Sequence, residues 1–242
     1  MSEVKVANIR TTTIKFGVGD PTLSMRPYLS THHLWSADLF SQHLGEIENG
    51  FAGEEPSHIF NRHRAYALGA ITCSAAFLEA AINEIYVDVV EGHSSYTHEL
   101  TDEKKKTLSL IWELTEERER NVRVLDKYQL ALQHLQLPKF ELGSAPYQDA
   151  NLVLRIRNAL VHFKPETVAL GEHSGLEKAL AGKFADCRLY EGMSNPYFPD
   201  RCLGYGASTW ALSSVRAFTD EFFLRVGLKP NYQRHSFRPT TS

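Results

Sequence analysis

The sequence predicts an all-α fold: a helical bundle preceded by a short N-terminal arm that can contain β-strands. Apolar residues recur at three- and four-residue spacings through most of the chain, which is typical of amphipathic helices. Runs of β-branched residues are strongest in the arm, at Val4–Ile9 and Thr11–Phe16. With 43% hydrophobic residues among 242, the chain can bury one sizeable core. We therefore expect an arm at 1–30, one bundle domain at 31–230 and a flexible tail at 231–242.

Each helix is placed by its apolar period and by the residues that start or stop it. The longest is predicted at 57–90, where apolar residues from Leu68 to Val89 alternate at spacings of three and four after Pro56. The others are predicted, in chain order, at 31–47, from Thr101 through Leu114, at 125–135 before Pro138, from Pro146 in its first turn to His162 before Pro165, at 175–183, and at 211–222 with an end near Gly227.

A connection at 191–207, rich in Gly, Asn and Pro, separates the last two helices. A loop of this length is usually functional or mobile. Its aromatic side chains either stack on unpaired bases or pin the loop to the core, and the second interpretation is favoured. These side chains are Tyr197, Phe198 and Tyr205, together with Tyr190 directly before the connection.

Composition narrows the classes of function. The net charge of −3 excludes a surface that binds nucleic acid throughout, so contact with RNA requires a local basic patch. The three cysteines lack paired metal-type spacing, which predicts reduced thiols. The sequence shows no secretory leader pattern, long uninterrupted apolar run, phosphate-binding loop, dinucleotide fingerprint, zinc-protease motif or nucleophile elbow. We expect a cytoplasmic protein without membrane association, cofactor or metal.

The segment 151–163 combines an apolar helical face with a stripe of polar reactive groups. At about 100° per residue, one arc is apolar and contains Leu152, Val153, Ile156, Ala159, Leu160 and Phe163. A second arc contains Asn151, Arg155, Asn158 and His162. Pro165 disfavours helix at the residue before it, so the helix is expected to end just past His162. Arg157 lies about 140° from His162 on this wheel, and meets it only by its reach, through a distorted last turn or from a second subunit.

The run Arg157-Asn158-Ala159-Leu160-Val161-His162 resembles the signature of the HEPN superfamily, an Arg followed four to six residues later by His near the end of a helix. Arg155 fits the same signature at its longer spacing. A long upstream helix that contains Phe77–Glu84 supports the resemblance. The resemblance implies a small all-α bundle. It also implies metal-independent cleavage of RNA, which many members of the family perform with two motif copies that face each other across a homodimer.

On this resemblance we expect an RNA endonuclease in which a 2′-hydroxyl attacks the adjacent phosphodiester. His162 is expected to move the proton, Arg157 to stabilise charge on the phosphate, and Asn158 to orient the ring or the phosphate. Arg155 is assigned to RNA positioning or to a structural pair with Glu79. The resemblance also implies a toxin–antitoxin or anti-phage defence role, with an antitoxin or regulatory protein as partner.

Two alternatives use the same residues without catalysis. In one, the chain is a non-catalytic HEPN-like module that binds a nucleotide, RNA or a protein partner. In the other, Arg155, Arg157 and His162 cap the helix end and pair with carboxylates. Glu79 is such a carboxylate, since it lies beside the apolar seam of the longest helix and needs a cationic partner. Exposure separates these hypotheses, because a catalytic His162 must open to a basic cleft whereas a structural one is enclosed with its partners satisfied.

Overall fold

The structure is a computed structural model that describes residues 12–15, 22–52, 57–116, 122–164, 174–230 and 232. Strands β1 (Thr12–Lys15) and β2 (Thr22–Met25) form an antiparallel hairpin. The helices of the described chain are α1 (Ser30–Gly50), α2 (Ser57–Val90), α3 (Asp102–Glu116), α4 (Val124–His134), α5 (Tyr147–Val161), α6 (Gly175–Leu180) and α7 (Tyr205–Val226). A 3-10 turn (Arg188–Tyr190) and a π-helical turn (Tyr197–Arg201) lie between α6 and α7.

The all-α prediction is confirmed, with the short hairpin as the β-containing part of the arm. The bounds predicted for the longest helix, 57–90, agree with those of α2. The helix predicted at 31–47 continues to Gly50. The strand expected at Val4–Ile9 lies outside the described residues, and so does the tail at 231–242 apart from one residue.

α2 forms the centre of the bundle and contacts α1, α3, α4, α5 and α7. Its predicted apolar seam is buried from Ile71 to Val89, as a helix surrounded by other helices requires. Leu68 is an exception, because its side chain is 38% exposed and Ala67 is buried in its place. Next to it, a Cβ added at Gly69 would lie 2.7 Å from the ring of Phe40 on α1. Small residues therefore make the close contact between α1 and α2 at this end, and Leu68 is turned outward.

The connection at 191–207 is held against the bundle by Arg64 of α2. The guanidinium of Arg64 forms an ion pair with Asp200 and lies over the ring of Tyr190. Tyr197 and Phe198 pack against the hydrophobic core. The interpretation that aromatic side chains pin this connection is therefore confirmed for these residues.

α7 begins earlier than the sequence predicts. Its first residue, Tyr205, donates its backbone N–H to the carboxylate of Glu48 on α1 at 2.6 Å. An acceptor from a distant helix thus satisfies an amide at the helix N terminus and complements the helix dipole there. The prediction that the connection continues to Ala207 is wrong for this reason. The far end of α7 is as predicted, since Gly227 caps it in the left-handed conformation with φ 87°.

One helix of the described chain, α2, is long and apolar enough to cross a membrane by length and composition. Half of its most apolar 18-residue window is buried inside the protein. Core helices of soluble proteins pass the same test, so this property is weak support for a membrane span. The predicted cytoplasmic location stays a prediction.

Candidate functional site

α5 presents the polar stripe of the segment 151–163 to solvent. Leu152, Val153 and Ile156 are buried against the bundle, and α5 contacts α2, α6 and α7 on this side. The opposite face is exposed and carries Asn151, Arg155, Asn158 and His162. The predicted division of this helix into an apolar and a polar face is therefore present. The end of α5 differs from the helical wheel. The helix ends at Val161, so Phe163, which was expected in the apolar arc, is 50% exposed.

His162 is the C-terminal cap of α5. Its backbone has φ −104° and ψ 32°, and its N–H donates to the carbonyl of Asn158 at 2.9 Å. The helix therefore ends where the sequence predicts. The imidazole is exposed, and within the described ranges no hydrogen bond or ion pair to this ring is recorded. His162 is therefore not enclosed, as a structural histidine would be.

Arg157 projects from the flank of α5 towards α2. Its Nη2 lies 3.8 Å from Oε2 of Glu79, with 28% of the arginine side chain and 48% of the glutamate side chain exposed. The carboxylate of Glu79 therefore pairs with Arg157, whereas Arg155 points into solvent. The expected alternative, an ion pair between Arg155 and Glu79, is therefore wrong.

The guanidinium of Arg157 also retains an unused donor. Its Nε is buried and has no hydrogen-bond partner among the residues that the structure describes. A buried donor without an acceptor costs about 1–3 kcal/mol. We call Glu79, Arg155, Arg157, Asn158 and His162 together the α5 site.

Exposed apolar side chains lie next to the α5 site. Val161 is 57% exposed and Phe163 is 50% exposed, on either side of His162 in the sequence. On the helical wheel Val161 is about 40° from Arg157, so the two share one flank of α5. Protein interfaces commonly have apolar residues at their centre and polar residues at their rim, and this apolar pair beside the polar stripe has that composition.

A second group of reactive side chains is buried near the start of α2, away from the α5 site. Glu48 near the end of α1, His63 near the start of α2 and Cys187 just before the 3-10 turn are 4%, 1% and 1% exposed. His63 Nε2 lies 2.9 Å from Glu48 Oε1 and 3.5 Å from Cys187 Sγ. The three ligand-type atoms all lie within 4.8 Å of one another. We call these three residues the buried cluster.

The surroundings fix Glu48 in the buried cluster. Besides His63, its carboxylate accepts the N–H of Tyr205 at 2.6 Å and that of Arg188 at 3.5 Å. A Cβ at Gly204 would lie 2.5 Å from Glu48 Oε1, so only glycine fits at this position. Burial, and then the nearby negative charge of Glu48, raise the pKa of the Cys187 thiol to about 12. Burial therefore favours the thiol over the thiolate at this position.

Sequence spacing did not find the buried cluster, and the expectation of no metal ligands rested on spacing alone. Its members are separated by long stretches of chain, so no local motif links them. The sequence did contain one indication. His63 is followed at helical spacing by the small residues Ala67, Ala70 and Ser74, which lie on the buried face of α2. A histidine on such a face needs a polar partner in the core.

Comparison of the chain with protein families, curated proteins and solved structures finds no match.

Proposed function

We propose that the α5 site is the active site of a metal-independent RNA endonuclease of HEPN type. The observation that carries the proposal is the exposure of His162 at the end of α5, on one face with Arg155 and Asn158. Arg157, with a donor that lacks a partner among the described residues, flanks this face. Such a surface offers one proton-transferring ring and two guanidinium groups to a phosphodiester.

The proposed reaction uses the 2′-hydroxyl of RNA as the nucleophile. The 2′-oxygen forms a bond to phosphorus while the bond from phosphorus to the 5′-oxygen breaks, which gives a 2′,3′-cyclic phosphate and a 5′-hydroxyl. A neutral His162 accepts the proton of the 2′-hydroxyl, and a protonated histidine gives a proton to the leaving oxygen. Arg157 stabilises the charge that develops on the non-bridging oxygens, and Asn158 orients the phosphate or the ring.

The reaction needs both a base and an acid, and one α5 site supplies one histidine. A second copy of the chain related by a two-fold axis would bring a second His162 to the same phosphate. The exposed Val161 and Phe163 give such an interface an apolar contact directly beside the histidine. We therefore include a homodimer in the proposal. Light scattering that shows a strict monomer at micromolar concentration would oppose it.

A second candidate function is a non-catalytic module that binds a nucleotide, RNA or a protein partner. The ion pair between Arg157 and Glu79 favours this candidate, because it engages part of the guanidinium and reduces the local positive charge. Arg155 and His162 would then hold a phosphate without cleaving it.

Incubation of the purified protein with single-stranded RNA in EDTA tests the proposal. The wild-type chain is expected to cleave, and His162→Ala is expected to reduce the rate by on the order of 10² to 10⁴ with the fold retained. His134→Ala is the matched control, because His134 is also exposed and lies in the last turn of α4. Intact cleavage by His162→Ala would overturn the assignment. Inertness of the folded wild-type chain towards several RNAs would favour the binding module.

A further inference from the structure

We propose that Glu48, His63 and Cys187 form a binding site for a zinc-class divalent metal ion that braces the fold. Nothing in this inference depends on RNA cleavage. His63 and Glu79 are both on α2 and are sixteen residues apart in the sequence, so the buried cluster and the α5 site lie about 24 Å apart along this helix.

The donor set fits the chemistry of zinc. Thiolate, imidazole and carboxylate are the three kinds of protein ligand that zinc takes in tetrahedral sites, with metal–ligand bonds of about 2.0–2.3 Å. Bonds of that length place neighbouring ligand atoms roughly 3.3–3.6 Å apart. His63 Nε2 lies 3.5 Å from Cys187 Sγ and 2.9 Å from Glu48 Oε1. The contact between His63 and Glu48 would lengthen by a few tenths of an ångström to admit an ion.

The geometry argues against a nucleophilic cysteine. In a Cys–His–acid relay, the thiol and the acid contact opposite nitrogens of the ring, so that the ring passes a proton between them. Here Glu48 and Cys187 both contact the same Nε2 of His63. One nitrogen has one lone pair or one proton and cannot serve both neighbours in a relay. A metal ion takes a lone pair from each of the three groups at the point where they converge.

The charges of the buried cluster balance when a divalent ion is bound. A divalent cation, a Cys187 thiolate, a Glu48 carboxylate and a neutral His63 sum to zero, so the buried site carries no net charge. Binding breaks the S–H bond of Cys187 and releases its proton to solvent. Cys187 lines a surface cavity of about 580 Å³ together with Arg188, Tyr190 and Arg201, which gives the ion and the proton a path.

The surroundings resemble the outer shell of a metal site. The N–H groups of Tyr205 and Arg188 hold the Glu48 carboxylate in place, as outer-shell donors orient metal ligands. The three ligands come from α1, from α2 and from the segment before α7. An ion would therefore tie the end of α1 to the start of α2 and α7. Three protein ligands leave the fourth tetrahedral position for water.

Titration of the metal-free full-length protein with Co²⁺ tests the inference. Cobalt bound in a tetrahedral thiolate site gives intense d–d bands and a thiolate-to-cobalt charge-transfer band in the near ultraviolet. The wild-type chain is expected to show both with one ion per chain, and Cys187→Ser is expected to lose the charge-transfer band. Cys202→Ser is the matched control, because Cys202 is equally buried, precedes α7 and is outside the buried cluster.

Zinc provides a second readout. Saturating Zn²⁺ is expected to raise the melting temperature of the wild-type chain by on the order of 5 °C, and to leave that of Cys187→Ser unchanged. A folded wild-type chain that shows neither the cobalt bands nor a zinc shift would overturn the proposal. So would bands that survive in Cys187→Ser and vanish in Cys202→Ser. RNA cleavage is not a readout here, so failure of the metal site and failure of the ribonuclease are separate results.

Discussion

His162 lies exposed at the end of α5, whereas His63 is 1% exposed and lies between Glu48 and Cys187. At the α5 site Arg155, Asn158 and His162 face outward, while the Nε of Arg157 is buried without a partner among the described residues. In the buried cluster every group already contacts another, and backbone amides hold the carboxylate. The α5 site is thus a surface that a large ligand can reach, whereas the buried cluster can hold at most an ion.

The two regions also differ in what a substitution removes. A side chain of the α5 site contributes little to the core, so its replacement acts on the ligand. A side chain of the buried cluster leaves unpaired partners in a low-dielectric interior, so its replacement acts on stability. Function and stability should therefore separate cleanly between the two regions.

The arginines of α5 give the largest expected effect. Arg157→Ala should reduce the rate of RNA cleavage by on the order of 10² to 10⁴, comparable to His162→Ala, because it removes the group that stabilises charge on the phosphate. Arg155→Ala should act mainly on KM, since this exposed side chain is assigned to RNA positioning. Steady-state kinetics on one short single-stranded RNA measure both. Loss of cleavage in a folded Arg155→Ala with full activity in Arg157→Ala would reverse the assignment.

The next largest expected effect is on the free energy of unfolding. It distinguishes Glu48 in the buried cluster from Glu79 in the α5 site. Glu48→Ala should lower the free energy of unfolding by about 3 kcal/mol, because it leaves His63 and the first amide of α7 without their buried partner. Glu79→Ala removes a half-exposed ion pair and should cost under about 1 kcal/mol. Urea unfolding of both variants in EDTA gives the comparison. Equal losses would show that burial does not distinguish these regions.

Local signals explain how much of the fold could be predicted. The bounds of α2 follow from a long apolar period after Pro56, and the end of α7 from Gly227. The end of α5 at His162 follows from Pro165 two residues beyond Phe163. Each of these features is set by residues that are neighbours in the chain, and the sequence therefore contains them.

Features set by distant residues could not be predicted in the same way. α7 starts at Tyr205 because Glu48 of α1 accepts its N–H, and no residue near 205 carries that information. The buried cluster has the same origin, since its ligands come from three separate segments. The polar face of α5 was predictable, yet the choice of Arg157 as partner of Glu79 depended on how α2 and α5 pack.

The apolar rim of the α5 site gives the smallest expected effect. Val161→Glu should weaken the proposed homodimer by about tenfold, because it places a charge at the centre of the interface. Leu110→Glu on α3 is the control, since Leu110 is similarly exposed on a helix that packs against α2 and α4. Sedimentation or light scattering over a concentration series measures the change. A dimer weakened by Leu110→Glu alone would place the interface elsewhere.

Cleavage of single-stranded RNA in EDTA by the wild-type chain, His162→Ala and Cys187→Ser, side by side, tests the central claim most directly. Circular dichroism first establishes that all three chains are folded. The expected result is that wild type and Cys187→Ser cleave while His162→Ala loses on the order of 10² to 10⁴ in rate. Cleavage that persists in His162→Ala, or that disappears in a folded Cys187→Ser, would contradict the assignment of chemistry to the α5 site and of stability to the buried cluster.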